Sequence, residues 1–135
     1  MKDKRPAFPE HFMRGAQWAS ERGECRRRQV GAVLVDSRNR VRGVGWNGSI
    51  DGLPNCLEGA CPRGHKTKEE VPSGTPYVDC IATHAEENLL RNTAKEHVKD
   101  SVVYVSEEPC ERCLTLLKAS GVAEVYWTNG GFAVL

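Results

Sequence analysis

The sequence predicts an α/β fold, a mixed sheet of four to five strands flanked by helices, and three observations carry that expectation. Two short apolar runs rich in β-branched residues, 30–35 (VGAVLV) and 41–46, stand on either side of the turn residues Asp36, Ser37, Arg38 and Asn39, as in a hairpin. From residue 83 onward the pattern alternates helix, strand, helix, strand, which brings the later strands into the same sheet through helical crossovers. With 135 residues, 39% of them hydrophobic, the chain suits one domain spanning 1–135 around one core.

In chain order, residues 9–22 carry Phe12, Met13, Ala16 and Ala19 at helical spacing and stop at Gly23. The hairpin follows. A stretch of about 48–80 is rich in Gly, Pro, Asn and charge and yields neither a helical nor an extended period. An irregular segment of that length is unusual in an ordered domain unless something fixes it. Residues 83–96 then read as a helix with Thr83 as its cap, 101–106 (SVVYVS) as a strand, 110–120 as a helix ended by Gly121, and 122–128 as a strand. The fourth strand read here lies close to Leu135, so the fifth of the expected four to five strands has no segment of its own in this reading.

The charge balance narrows the function. Nineteen Lys and Arg against eighteen Asp and Glu give a net charge of +1, without the basic excess of a chain that wraps a nucleic acid polymer. No stretch approaches the roughly 18 apolar residues needed to span a bilayer, and the first dozen residues hold no signal-peptide core. A cytoplasmic protein with a small-molecule partner is expected. In that reducing compartment six cysteines are metal ligands, catalytic groups or buried thiols before they are disulfides.

Two motifs carry chemistry. His84-Ala85-Glu86 and, roughly twenty residues later, Pro109-Cys110-Glu111-Arg112-Cys113 match the H-x-E…P-C-x-x-C pattern of zinc deaminases. Cysteines three apart at a helix start share a face, and Pro suits the first helical positions. Cys110, Cys113 and neutral His84 would bind one zinc and leave a fourth tetrahedral position open, the mark of a catalytic rather than a closed structural site. The free N–H groups at the helix start would favour the thiolates. Glu86, two residues past a ligand, is the candidate general acid and base. Alone, a Cys-x-x-Cys is equally a redox motif or half a zinc knuckle; the pair of motifs is far more specific.

These motifs, together with Val30-Gly-Ala-Val33, Gly45-Trp-Asn47-Gly48, Cys25 with its arginines, Asn55-Cys56, Cys61-Pro-Arg63, Pro72-Ser-Gly74 and Cys80, resemble the deoxycytidylate deaminase branch of the cytidine deaminase superfamily over about residues 12–128. The resemblance implies a three-layer cytidine-deaminase-like fold, a homo-oligomer, and a pyrimidine nucleotide substrate, dCMP converted to dUMP with release of ammonia. It carries Asn47 and Asn88 over as substrate-pocket residues. Glu108, before Pro109, resembles instead the deaminases of nucleobases, of the riboflavin pathway and of tRNA adenosine, so deamination of a free nucleobase or other amino-heterocycle is the alternative.

Four cysteines remain: Cys25, Cys56, Cys61 and Cys80, with His65 in reserve. Four thiols suit a second, structural zinc that would staple the 48–80 segment to the body; the alternative is separate buried thiols. Arg26, Arg27 and Arg28 precede the first strand and read as a solvated basic turn, although a nucleotide 5′-phosphate would need donors of that kind.

Overall fold

The computed structural model describes residues 3–49, 54, 57–59, 67, 69–70 and 83–135. Its elements are α1 (Phe8–Ser20), β1 (Gly31–Val35), β2 (Val41–Trp46), α2 (Ala85–Arg91), α3 (Lys95–Val98), β3 (Val102–Val105), α4 (Glu111–Ser120), β4 (Glu124–Trp127) and β5 (Gly131–Val134). The strands form one sheet in the order β2-β1-β3-β4-β5. β1 runs antiparallel to both β2 and β3, while β3 and β4 are parallel and joined across the sheet by α4.

All five residues of β1 are buried, because helices cover both faces of the sheet there. On one face Ala32 and Leu34 join Val103, Val105 and Val125 under Ala85 and Leu89 of α2 and Leu117 of α4. On the other, Val33, Val35 and Tyr104 pack against Phe12 and Ala16 of α1. The period-2 alternation of the strands thus feeds two cores. Two glycines set how closely the helices approach. A Cβ on Gly31 would lie 2.3 Å from the Ala16 carbonyl oxygen of α1, and one on Gly45 would lie 2.4 Å from the Leu89 nitrogen of α2.

The sheet takes the upper bound of the expected four to five strands, and two expectations for the segment 83–96 are corrected. The sheet has a fifth strand within the chain: Asn129 (φ 65) and Gly130 (φ 79) turn the backbone through the left-handed region, and β5 returns antiparallel to β4. That turn is the Asn-Gly hairpin chemistry of short loops, and Gly131–Val134 is too short for its period to stand out. The expected helix over 83–96 is two. It breaks because Asn92 closes α2 and the Thr93 hydroxyl turns back to the Leu89 carbonyl at 2.6 Å, with Thr93 buried against Gly43. Thr83 is not the cap; it pairs with Gly48 in a two-residue bridge, its N–H donating to the Gly48 carbonyl at 2.7 Å and its carbonyl accepting from the Gly48 N–H at 2.9 Å. Among the described residues no helix is long and apolar enough to cross a membrane.

Candidate active site

The site is built where α2 and α4 begin, at the ends of β1 and β2. The Gly48–Thr83 bridge fastens the chain entering α2 to the end of β2, so that His84 stands at the helix N-cap in an extended conformation (φ −69, ψ 154). Cys110 holds the matching position at the start of α4 (φ −71, ψ 163), its sulfur accepting the Cys113 N–H at 3.4 Å. Two helix starts thereby face each other. Ser106, just past β3, locks this end of the sheet: its hydroxyl oxygen accepts from the Gly31 N–H at 2.9 Å, and its carbonyl accepts from Thr128 Oγ1 at 3.1 Å.

His84, Cys110 and Cys113 offer one ligand atom each, all within 4.8 Å of one another. His84 Nδ1 lies 3.3 Å from Cys113 Sγ and 3.6 Å from Cys110 Sγ. Ligands on a tetrahedral zinc, with bonds of about 2.0–2.3 Å, stand about 3.5 Å apart, so the three fit one ion. The electrostatics point the same way. Burial holds His84 below its ordinary value and hence neutral, as a metal ligand must be. Cys113 is fully buried, and that burial, followed by the neighbouring Glu86 charge, pushes its thiol far up. The expected help from the helix start reaches Cys110 as a hydrogen bond, but at Cys113 burial outweighs it, and only a bound cation would make that sulfur a thiolate.

Glu86 is 4% exposed in the first turn of α2. Burial raises its carboxyl above the usual range; hydrogen bonds from its own backbone and from Cys113, and the Arg28 charge, act against that rise, while Glu87 adds to it. A cavity of about 130 Å³ opens above these groups. His84, Glu86 and Cys110 line it together with Cys25, Arg28, Asn47, Glu107 and Glu108.

The family model for the cytidine and deoxycytidylate deaminase zinc-binding region matches residues 7–129. The chain belongs to this family. It is 39% identical over 127 residues to the deoxycytidylate deaminase of Mycobacterium phage D29, covering 91% of this chain and 95% of the relative. It is 36% identical to that of Schizosaccharomyces pombe, of whose length it spans 37%. Among solved structures, the dCMP deaminase of cyanophage S-TIM5 in complex with dCMP and dUMP superposes with a TM-score of 0.68 at 28% identity, over 92% of this chain and 82% of that one. The family carries a zinc-binding region, and the His84, Cys110 and Cys113 cluster is where this chain can hold the ion.

The remaining residues expected from sequence divide. Asn47 lines the cavity, and its amide is also engaged: Oδ1 accepts from the Val30 N–H at 2.9 Å and Nδ2 donates to the Arg28 carbonyl at 2.8 Å. Asn88 is not among the residues lining the cavity; its Nδ2 donates to the Trp46 carbonyl at 2.8 Å and ties α2 to β2. Cys25 is buried at the cavity wall. Cys56, Cys61, Cys80 and His65 lie outside the described residues. Sequence reasoning missed Glu107, which lines the cavity and whose carboxylate pairs with Arg28. Its proximity to Cys110 was a signal, but its partner lies 79 residues away in the chain.

Proposed function

We propose that this chain catalyses the hydrolytic deamination of deoxycytidine monophosphate, dCMP and water giving dUMP and ammonia. One observation carries the reading: a His, two Cys and a buried Glu converge on a single cavity in a chain of this family. The choice of nucleotide is supported by relatives named deoxycytidylate deaminase and by the neighbour solved with dCMP and dUMP.

His84, Cys110 and Cys113 would hold a zinc ion, whose chemistry when bound is to lower the pKa of water toward about 7. Glu86 stands beside them without being a ligand. Its carboxylate takes the proton that the attacking water loses, passes a proton to the ring nitrogen next to the attacked carbon, and protonates the departing amine. A buried carboxyl raised above its usual range suits both halves of that task, since its ionised form takes up a proton more readily than a solvated carboxylate would, and it can still pass that proton on to the more basic nitrogens of the attacked ring. Asn47, on the cavity wall, is the substrate contact in this reading. Asn88 contributes from behind, by fixing the end of β2 that bears Asn47.

Two finer elements belong to the same proposal. A structural zinc on Cys25, Cys56, Cys61 and Cys80 is supported by the backbone bond from Leu57 N–H to the Glu24 carbonyl, 3.2 Å, because these two residues are the chain neighbours of Cys56 and Cys25. Metal analysis should then find two zinc ions per chain, and one would defeat this part. A homo-oligomer is supported by exposed Phe132 and Val134 on the edge strand β5.

Ammonia release measured side by side from dCMP, deoxycytidine, cytosine, guanine and triazine amines tests the whole. The expected order is dCMP first and free bases last. Glu108 on the cavity wall favours the second reading, a free nucleobase or other amino-heterocycle; turnover of a free base with none of dCMP would establish it instead.

A further inference from the structure

The two helices that present the metal-binding residues are joined by an ion pair that the chemistry does not use. Glu87 follows Glu86 in the first turn of α2, and Arg112 stands between Cys110 and Cys113 in the first turn of α4. Arg112 Nη1 lies 3.2 Å from Glu87 Oε1. Elsewhere the two helix starts meet through the reacting set itself: His84 Nδ1 approaches both cysteine sulfurs, and Cys113 bonds to Glu86. The Arg112–Glu87 pair is a tie outside that set. Neither residue is among the three donors, and neither lines the cavity.

Local structure does not account for Arg112. A helix start carries the positive end of the aligned peptide dipoles, so a cation in the first turn of α4 is set against its own helix. What offsets this is on the other helix. The Glu87 side chain is 17% exposed against 75% for Arg112, so a largely shielded carboxylate on α2 receives its counterion from α4. A pair exposed at both ends would contribute little, whereas a shielded carboxylate left without its partner is costly. Burial is the largest influence on His84, Glu86 and Cys113, and the Glu87 charge is felt at all three. The pair therefore stands close to the ligands without being one of them.

We propose that Glu87 and Arg112 are a positioning pair, a clamp across the starts of α2 and α4 that keeps His84 at the separation from Cys110 and Cys113 that one zinc ion requires, and so slows the loss of that ion. This rests on the reading of those three residues as the zinc ligands and adds to it two residues that the reading leaves out. The physical point is that the ligand set is split between two helices. His84 rides on one and both sulfurs on the other, so any parting of the helix starts opens the site, and a bond beside the ligands resists that parting.

The test follows transfer of zinc to a chromogenic chelator from the zinc-loaded wild type, Glu87→Gln, Arg112→Gln, Arg112→Lys and the double variant Glu87→Gln/Arg112→Gln, with thermal melting of the zinc-free proteins alongside. Each Gln variant should release zinc about threefold to tenfold faster, and the double variant no faster than either single one, because each already breaks the whole pair. Arg112→Lys should recover part of the wild-type rate, keeping the charge but not the fork. Glu87→Gln strands no buried charge, so its zinc-free midpoint should stay near that of wild type. Were Arg112 present only to ease the two cysteine thiolates, removing the Glu87 charge would leave release unchanged or slower, and that result overturns the clamp. So does a double variant whose acceleration is the product of the two single effects, and so does a zinc-free midpoint that falls in Glu87→Gln, which would make the pair a strut of the fold. A wild type that holds no zinc would sink the metal reading and the clamp with it, a result distinct from full zinc with unaltered release in Glu87→Gln, which removes the clamp alone.

Discussion

At the residue scale, the cavity pairs groups that do chemistry with groups that hold them, and substitution separates the two. Glu86→Ala should retain zinc, since Glu86 is not among the three donors, yet lower kcat by 10²–10⁴-fold, the usual worth of a positioned acid and base. Metal analysis and steady-state kinetics on the same preparation check both halves; loss of the metal would make Glu86 a ligand instead. Asn47 is different in kind. Its amide satisfies the Val30 N–H and the Arg28 carbonyl while the residue also lines the cavity. Asn47→Ala should therefore raise KM and also destabilise the fold by about 1–3 kcal/mol for the orphaned backbone groups. Urea unfolding reads the second effect, and an unchanged midpoint would leave Asn47 with a substrate role only.

At the element scale, the site depends on how closely helices seat on the sheet. β2 approaches α2 at Gly45, where a methyl group would press on the Leu89 nitrogen at 2.4 Å and the Ala85 carbonyl at 2.7 Å, both backbone atoms that cannot rotate away. Gly45→Ala should displace the helix that begins at His84 and Glu86, costing about 1–3 kcal/mol by overpacking and lowering kcat although no catalytic group is changed. Thermal melting together with kinetics checks this; full activity would mean that α2 floats freely over β2. The hairpin between β1 and β2 is held by Asp36, which accepts from the Arg38 N–H at 2.8 Å, the Arg40 N–H at 3.0 Å and Arg42 Nε at 2.7 Å. The Arg42 hydrogen bond above all lowers its carboxyl from the ordinary 3.8 to about 2. A depressed folded-state value means stability fully present above 3.8 and lost as pH falls through about 2. Asp36→Asn should thus be less stable than wild type near neutrality, with the gap closing between pH 4 and pH 2 as seen by urea melts. A gap independent of pH would show that the carboxylate charge contributes nothing.

At the scale of the whole molecule, β5 completes the sheet and covers the edge of β4. Ala133 and Leu135 pack on the central core, and Phe132 meets Tyr126 with ring centroids 4.6 Å apart. Those rings continue a row that runs through Tyr104 and Phe12 to Phe8. A chain stopped after Asn129 should lose about 2–4 kcal/mol, the worth of one or two buried apolar side chains, and expose the β4 edge as a template for aggregation. Light scattering and thermal melting check it. An unaltered, monodisperse truncation would mean that β4 is an adequate edge on its own.

The sequence by itself determined the set of residues from which the proposed chemistry is drawn. Which side chains can bind a metal and which can move a proton is a matter of residue type, and the spacings His84-x-Glu86 and Cys110-x-x-Cys113 lie within single helical turns, where local geometry is set by local bonds. It also determined the start of α4, the β1–β2 hairpin and the family. It was less informative wherever the outcome depends on register between distant segments. The break in the helix after Arg91 follows from where Thr93 lands against Gly43, and the fifth strand from a hairpin too short to show its period. Only the tertiary structure brought His84 within 3.6 Å of Cys110, by way of the Gly48–Thr83 bridge, and picked Arg28 from three adjacent arginines to face Glu107. The reason is physical: three consecutive residues leave a turn in three directions, and which of them points into a cavity is decided by the pairing of β1 with its neighbours and by Asn47, two strands of sequence away.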